Sequence, residues 1–151
     1  MQAQYELRNT PGKGEGIFAL KEFKAGELVM VGRIEKELET SDSHSSQIGE
    51  NRHVLHGGLI SKVNHCCDPN CGIKENETGA HDFVARRPIA PGEELTFDYA
   101  MRNYSVDYFP HECKCGSPQC RGKITGWKSL PTEIKKEYAG YVSQYLLEMD
   151  K

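Results

Sequence analysis

Three cysteines, Cys113, Cys115 and Cys120, crowd onto one short segment with the spacing C-x-C-x4-C. Gly116 and Pro118 lie among them, and apolar residues are scarce. Such a segment cannot fold by burying a core of its own. Three thiolates on one tight turn can fill three corners of a tetrahedron, and a structural zinc ion then takes a fourth sulfur or nitrogen ligand. Metal binding would supply the folding energy that the segment lacks. His65, Cys66, Cys67, Cys71 and His111 are candidates for the fourth position. Free thiols on a loop are the alternative.

Clustered thiols favour a metal where they stay reduced. No apolar run approaches the roughly 20 residues that span a bilayer. The opening MQAQYELRNT lacks the apolar core of a secretory signal. The expectation is an intracellular chain, nuclear or cytoplasmic, not secreted and without membrane contact. The formal charge is −3 at pH 7, with no long run of one sign. This argues against a nucleic-acid-binding face and suits a basic peptide partner. A length of 151 residues is that of one compact unit.

An internal echo appears at an offset of 66 residues: FALKEFKAGE (18–27) and VARRPIAPGE (84–93). Each copy reads as strand, turn, strand, with Gly26 and Gly92 supplying the turn. The pattern predicts a mainly β fold. The polar stretch 40–53 shows no periodicity and reads as a loop. From Thr132 onwards, Ile134, Tyr138, Tyr141, Val142, Tyr145 and Met149 fall at helical spacing, which predicts a C-terminal helix docked by one face. Its tyrosines read as core or rim residues.

Three motifs occur in order before the cysteine segment. The first is Gly12-Lys13-Gly14-Glu15-Gly16-Ile17-Phe18-Ala19. No amphipathic helix follows it, so it is not a dinucleotide fingerprint. The second is Asn64-His65-Cys66-Cys67-Asp68-Pro69-Asn70-Cys71, and the third is Gly92-Glu93-Glu94-Leu95-Thr96-Phe97-Asp98-Tyr99. Their order and spacing, ending in C-x-C-x4-C, resemble the SET-domain protein-lysine N-methyltransferases with a post-SET zinc motif, over residues 5–123.

The resemblance implies a SET-domain fold of β-clip type: small curved sheets with a knot-like C-terminal threading. It implies a SET domain over 5–109 with an insert at about 33–58, and a post-SET zinc loop over 110–123. Residues 124–151 then form a helical extension. It implies S-adenosylmethionine as methyl donor, held by the backbone of Gly14, Glu15 and Gly16 and by Asn64 and His65. Cys67 becomes the fourth ligand of one structural zinc ion, with Cys113, Cys115 and Cys120. Cys66 stands where the family has serine and reads as a small buried residue. Tyr99 matches the catalytic tyrosine and also borders the donor. Phe97 matches the lysine-channel position that sets product degree, and phenylalanine there favours di- or trimethylation. Met30 stands where a channel tyrosine is usual. The implied partner is a protein or peptide carrying a lysine, a histone tail first. A non-histone protein is the alternative substrate, and a non-catalytic peptide-binding module the alternative function. A zinc hydrolase is disfavoured, because four thiolates leave no open metal position. Trp127 reads as core packing, with a place beside the adenine as the alternative. The sequence sets no oligomeric state.

Overall fold

Short apolar runs closed by glycine turns give this chain short strands and little helix. The computed structural model describes residues 4–10, 14–39, 46–105, 113, 115, 117, 118 and 120–150. The described strands are β1 (Tyr5–Thr10), β2 (Gly14–Ala19), β3 (Leu28–Met30), β4 (Ile34–Leu38) and β5 (Ser46–Gly49), then β6 (Arg52–His56), β7 (Asn64–His65), β8 (Cys71–Glu75), β9 (His81–Ala85) and β10 (Thr96–Phe97). β1 and β2 form an antiparallel ribbon. β9 lies between β3 and β8 in one antiparallel sheet, and β6 lies between β4 and β5 in another. β7 and β10 pair in parallel.

The two echoed segments satisfy each other's backbone. Phe23 and Ile89, equivalent positions of the two copies, exchange a pair of 2.9 Å hydrogen bonds. Gly92 N donates to Ala19 O, and its counterpart Gly26 N donates to Ala85 O, each at 2.8 Å. Ala19 N donates to Glu93 O, and Ala85 N to Glu27 O, each at 2.9 Å. Gly26 and Gly92 sit at φ 88° and 90°, where a side chain would be strained. The echo is therefore a structural repeat, and its bridged residues Phe23 and Ile89 lie in the core beside Ile17, Ile73, Phe83 and Leu95.

Two expectations need correction. The polar stretch 40–53 is not simply a loop, because its described part contains β5 and the start of β6. Ser46 and Gln47 are buried there. Gln47 N donates to Asn103 Oδ1 (3.2 Å), and Gln47 Oε1 accepts from Tyr104 N (3.0 Å). Polar pairing holds this strand, so apolar periodicity does not register it. The C-terminal helix is two short helices, α1 (Thr132–Glu137) and α2 (Gln144–Met149). Gly140, at φ 87°, turns the chain between them. Tyr141 O then accepts from Ile73 N at 2.8 Å, which ties the turn to β8. Tyr138 and Leu146 are the buried anchors. Trp127 is buried in the core, and its Nε1 donates to Asp150 Oδ2 at 2.8 Å.

His56, the last residue of β6, is buried. Its Nε2 accepts from His81 N (3.0 Å), so the proton sits on Nδ1, facing Ser46 Oγ at 2.9 Å. Burial, and then the charge of Arg102, lower its pKa from 6.5 to about 3. His81 is shifted the same way, also chiefly by burial. The folded protein keeps His56 neutral while the unfolded chain gains a proton below pH 6.5. Stability is therefore lost as pH falls from that value towards 3. Between pH 7 and 5 the His56 contribution is about 2 kcal/mol. Urea unfolding at the two pH values reads it, and His56→Asn should flatten the slope. An unchanged slope would contradict the assignment.

Candidate active site and metal centre

The parallel pairing of β7 with β10 sets the site. Asn64 lies opposite Thr96 and His65 opposite Phe97, and Cys66 N donates to Phe97 O at 3.0 Å. Buried Asn70 staples the two motifs. Its Nδ2 donates to Glu94 O (2.9 Å), and its Oδ1 accepts from Thr96 N (2.9 Å). Just past β10, Tyr99 N donates to His65 Nδ1 at 3.1 Å, and the two rings stand edge to face with centroids 5.1 Å apart. A backbone N–H can only donate, so His65 Nδ1 is an acceptor and the ring is neutral. The 3.6 Å approach of Asp98 Oδ1 to that nitrogen is then not an ion pair.

The glycine motif reaches the same place. Asn64 Nδ2 donates to Glu15 O (2.9 Å) and to Glu94 Oε2 (2.8 Å). Gly14 sits at φ 72° with open space around its Cα. A Cβ on Gly16 would stand 2.6 Å from Glu94 Oε2 and 3.1 Å from Asn64 Nδ2. The absence of a side chain therefore lets Asn64 approach buried Gly16, while Gly14 and Glu15 stay exposed. Glu15 also meets Lys62 Nζ at 3.4 Å.

Phe97 is buried between aromatic neighbours. Its ring centroid lies 5.1 Å from that of Tyr99 and 4.9 Å from that of Phe83. The Arg102 guanidinium stands 4.4 Å from its centroid. Met30 is buried on β3 opposite Phe83, whose ring packs against Phe97. Burial raises the pKa of Tyr99 against the opposing charge of Arg102, so its phenol keeps its proton.

The sulfur atoms of Cys67, Cys113, Cys115 and Cys120 all lie within 4.8 Å of one another. They form the one such group of metal-ligating side chains found among the described residues. Cys67 Sγ is 3.7 Å from Cys113 Sγ. It also accepts from Arg121 N (3.3 Å) and lies 3.5 Å from the protonated His65 Nε2. Such N–H contacts suit a thiolate. Burial pushes a free Cys67 thiol up to about 11 and Cys113 higher still. Burial also acts to raise Cys115, but N–H groups of Cys67 and Ser117 and the neighbouring thiols outweigh it and bring it to about 6. Four cysteine sulfurs this close could hold a metal ion, and an all-sulfur set of four suits zinc. Of the other candidate ligands, Cys71 is buried in β8. His111 lies outside the described residues. Cys66 is half-buried rather than buried.

Sequence reasoning gave no role to Asp98, Glu94 or Arg121. Asp98 is fully buried, and Arg121 grips it with two bonds of 2.7 and 3.0 Å. A lone acid between Phe97 and Tyr99 in a buried run was the available signal, since such a charge needs a partner.

The chain's sequence matches known proteins in the same region. The SET domain family matches residues 14–100, more than half of the chain. The H3 lysine-36 specific histone-lysine N-methyltransferase of Mycosarcoma maydis is 41% identical over 73 residues, 46% of this chain and 7% of that protein. The H3 lysine-4 specific enzyme of Saccharomyces cerevisiae is 42% identical over 69 residues, 44% of this chain and 6% of that protein. The histone-lysine N-methyltransferase ash1 of Drosophila melanogaster is 33% identical over 139 residues, 78% of this chain and 6% of that protein. The chain thus spans less than a tenth of the length of these relatives.

Proposed function

Because this chain belongs to the SET-domain family, we propose that it transfers methyl groups from S-adenosylmethionine to a lysine side chain of a protein, a histone tail first. The observation that carries the reading is the β7–β10 pairing, which gathers Asn64, His65, the Gly14–Gly16 loop and Tyr99. When bound, S-adenosylmethionine supplies a methyl group made electrophilic by its sulfonium. The backbone of Gly14, Glu15 and Gly16 would hold it, with Asn64 and His65. The Tyr99 hydroxyl, which stays protonated, would orient the reacting groups and stabilise the transition state as a hydrogen-bond donor. The target lysine must lose its proton, and free lysine titrates near 10.4. Phe97 and Met30 would give its channel apolar walls, and the Arg102 charge behind Phe97 would disfavour a second cation. Phenylalanine at Phe97 adds no hydroxyl to restrain the amine, which favours di- or trimethylation.

The four cysteines would hold one structural zinc ion with no position open for water. Its role would be to pin the segment around Cys113–Cys120 to the Cys67 strand end. We assign 5–109 to the SET domain, 110–123 to the post-SET loop and 124–151 to the helical extension. A histone substrate and reduced thiols fit an intracellular setting, nuclear or cytoplasmic. Among the described residues, no helix is long and apolar enough to cross a membrane.

Gly16→Ala tests the donor site. The new Cβ would push Asn64 and Glu94 aside. Affinity for S-adenosylhomocysteine should fall about tenfold, roughly 1.4 kcal/mol, by calorimetry. A wild-type chain that takes up no S-adenosylhomocysteine would defeat the reading.

A further inference from the structure

The Asp98 carboxylate joins parts of the chain that lie far apart in sequence. It is fully buried and follows Phe97 directly, with Tyr99 next. From its own turn, Ala100 N donates to Oδ1 at 3.0 Å. From the segment beside Cys120, Arg121 binds it through both Nη atoms, at 2.7 and 3.0 Å. From the end of α1, the Tyr138 hydroxyl reaches Oδ2 at 2.8 Å. The same hydroxyl lies 3.2 Å from Cys67 O, on the strand end that carries His65. The Tyr138 ring is buried beneath the Arg86 guanidinium, 4.9 Å from its centroid.

We propose that Tyr138 is a positioning residue that acts through Asp98 to hold Tyr99, so that the C-terminal extension is a working part of the active site. The inference rests on the methyltransferase reading above. A carboxylate gripped from three sides fixes the backbone turn at Asp98–Ala100 and so the direction of the Tyr99 phenol. Removing one grip leaves the fold in place and lets that turn drift. Small misplacements of a catalytic group carry large rate penalties.

The test uses the full chain, the donor and a lysine-bearing histone peptide. Tyr138→Phe keeps the buried ring and removes only the hydroxyl. It should lower kcat by about tenfold or more and leave the peptide KM within about twofold. Arg121→Lys, which cannot make the paired contact, should show the same split. Asp150→Asn is the control. It weakens the contacts of Asp150 with Trp127 Nε1 and Lys135 Nζ, in the same extension but away from Asp98. It should lower the melting temperature without changing kcat. S-adenosylhomocysteine affinity, read by calorimetry, should remain within about threefold in all three variants. An active wild type with unchanged kcat in Tyr138→Phe overturns the inference alone. So does an equal kcat loss in Asp150→Asn, which would mark a general effect of stability. A wild type that transfers no methyl group removes the functional reading and the inference together.

Discussion

Tyr99→Phe is expected to slow single-turnover methyl transfer by about 10²-fold or more, while S-adenosylhomocysteine still binds. The substitution removes one oxygen and keeps the ring. The contacts that place that ring include the bond from Tyr99 N to His65 Nδ1 and the packing against Phe97 and His65, and Tyr99→Phe leaves all of these intact. The fold and the donor site should therefore survive. What disappears is a hydroxyl, kept protonated by burial, that can donate where charge redistributes during transfer. Rapid-quench kinetics with labelled donor reads the chemical step apart from product release. A variant within twofold of the wild-type rate would mean that Tyr99 merely packs.

Removal of the metal should have an equally large effect by another route. Chelation, or Cys115→Ser, is expected to abolish transfer while most of the β core stays folded. Structural zinc sites contribute on the order of 10 kcal/mol to the folding of small metal-held segments. The residues around Cys113–Cys120 have few apolar groups to replace it. The core residues Ile17, Phe23, Phe83 and Ile89 belong to strands and bridges that do not include the cysteine segment. Hydrogen exchange should thus lose protection around residues 113–123 first, with β8 and β9 still protected. Elemental analysis of the wild type should give one zinc per chain. A fully active Cys115→Ser variant, or a wild type without metal, would contradict the assignment.

Much of this was legible in the sequence where chemistry forces a residue type. Gly26 and Gly92 announce turns because their φ values suit no other residue well. The echo around them proved to be a pair of segments bonded to each other, a relation that similarity alone could suggest but not specify. The four cysteines expected to share a metal do converge. Legibility failed where polar groups form the interior. Ser46 and Gln47 are buried through bonds to residues more than fifty positions away, so β5 carries no local signature. The C-terminal apolar spacing continues through Gly140, whose positive φ ends one helix before the next begins. Asp98, alone between Phe97 and Tyr99, signals the need for a partner but not which one, because Arg121 and Tyr138 lie 23 and 40 positions away.

One short parallel pairing holds Asn64, His65 and Tyr99 together, and methyl transfer to lysine is proposed at the site they form. The most direct measurement incubates the full chain with core histones and a donor carrying a deuterated methyl group, followed by mass-spectrometric mapping of every modified residue. Labelled methyl groups are expected on lysine Nζ. A preparation that binds S-adenosylhomocysteine yet leaves every lysine unlabelled would contradict the proposed transfer.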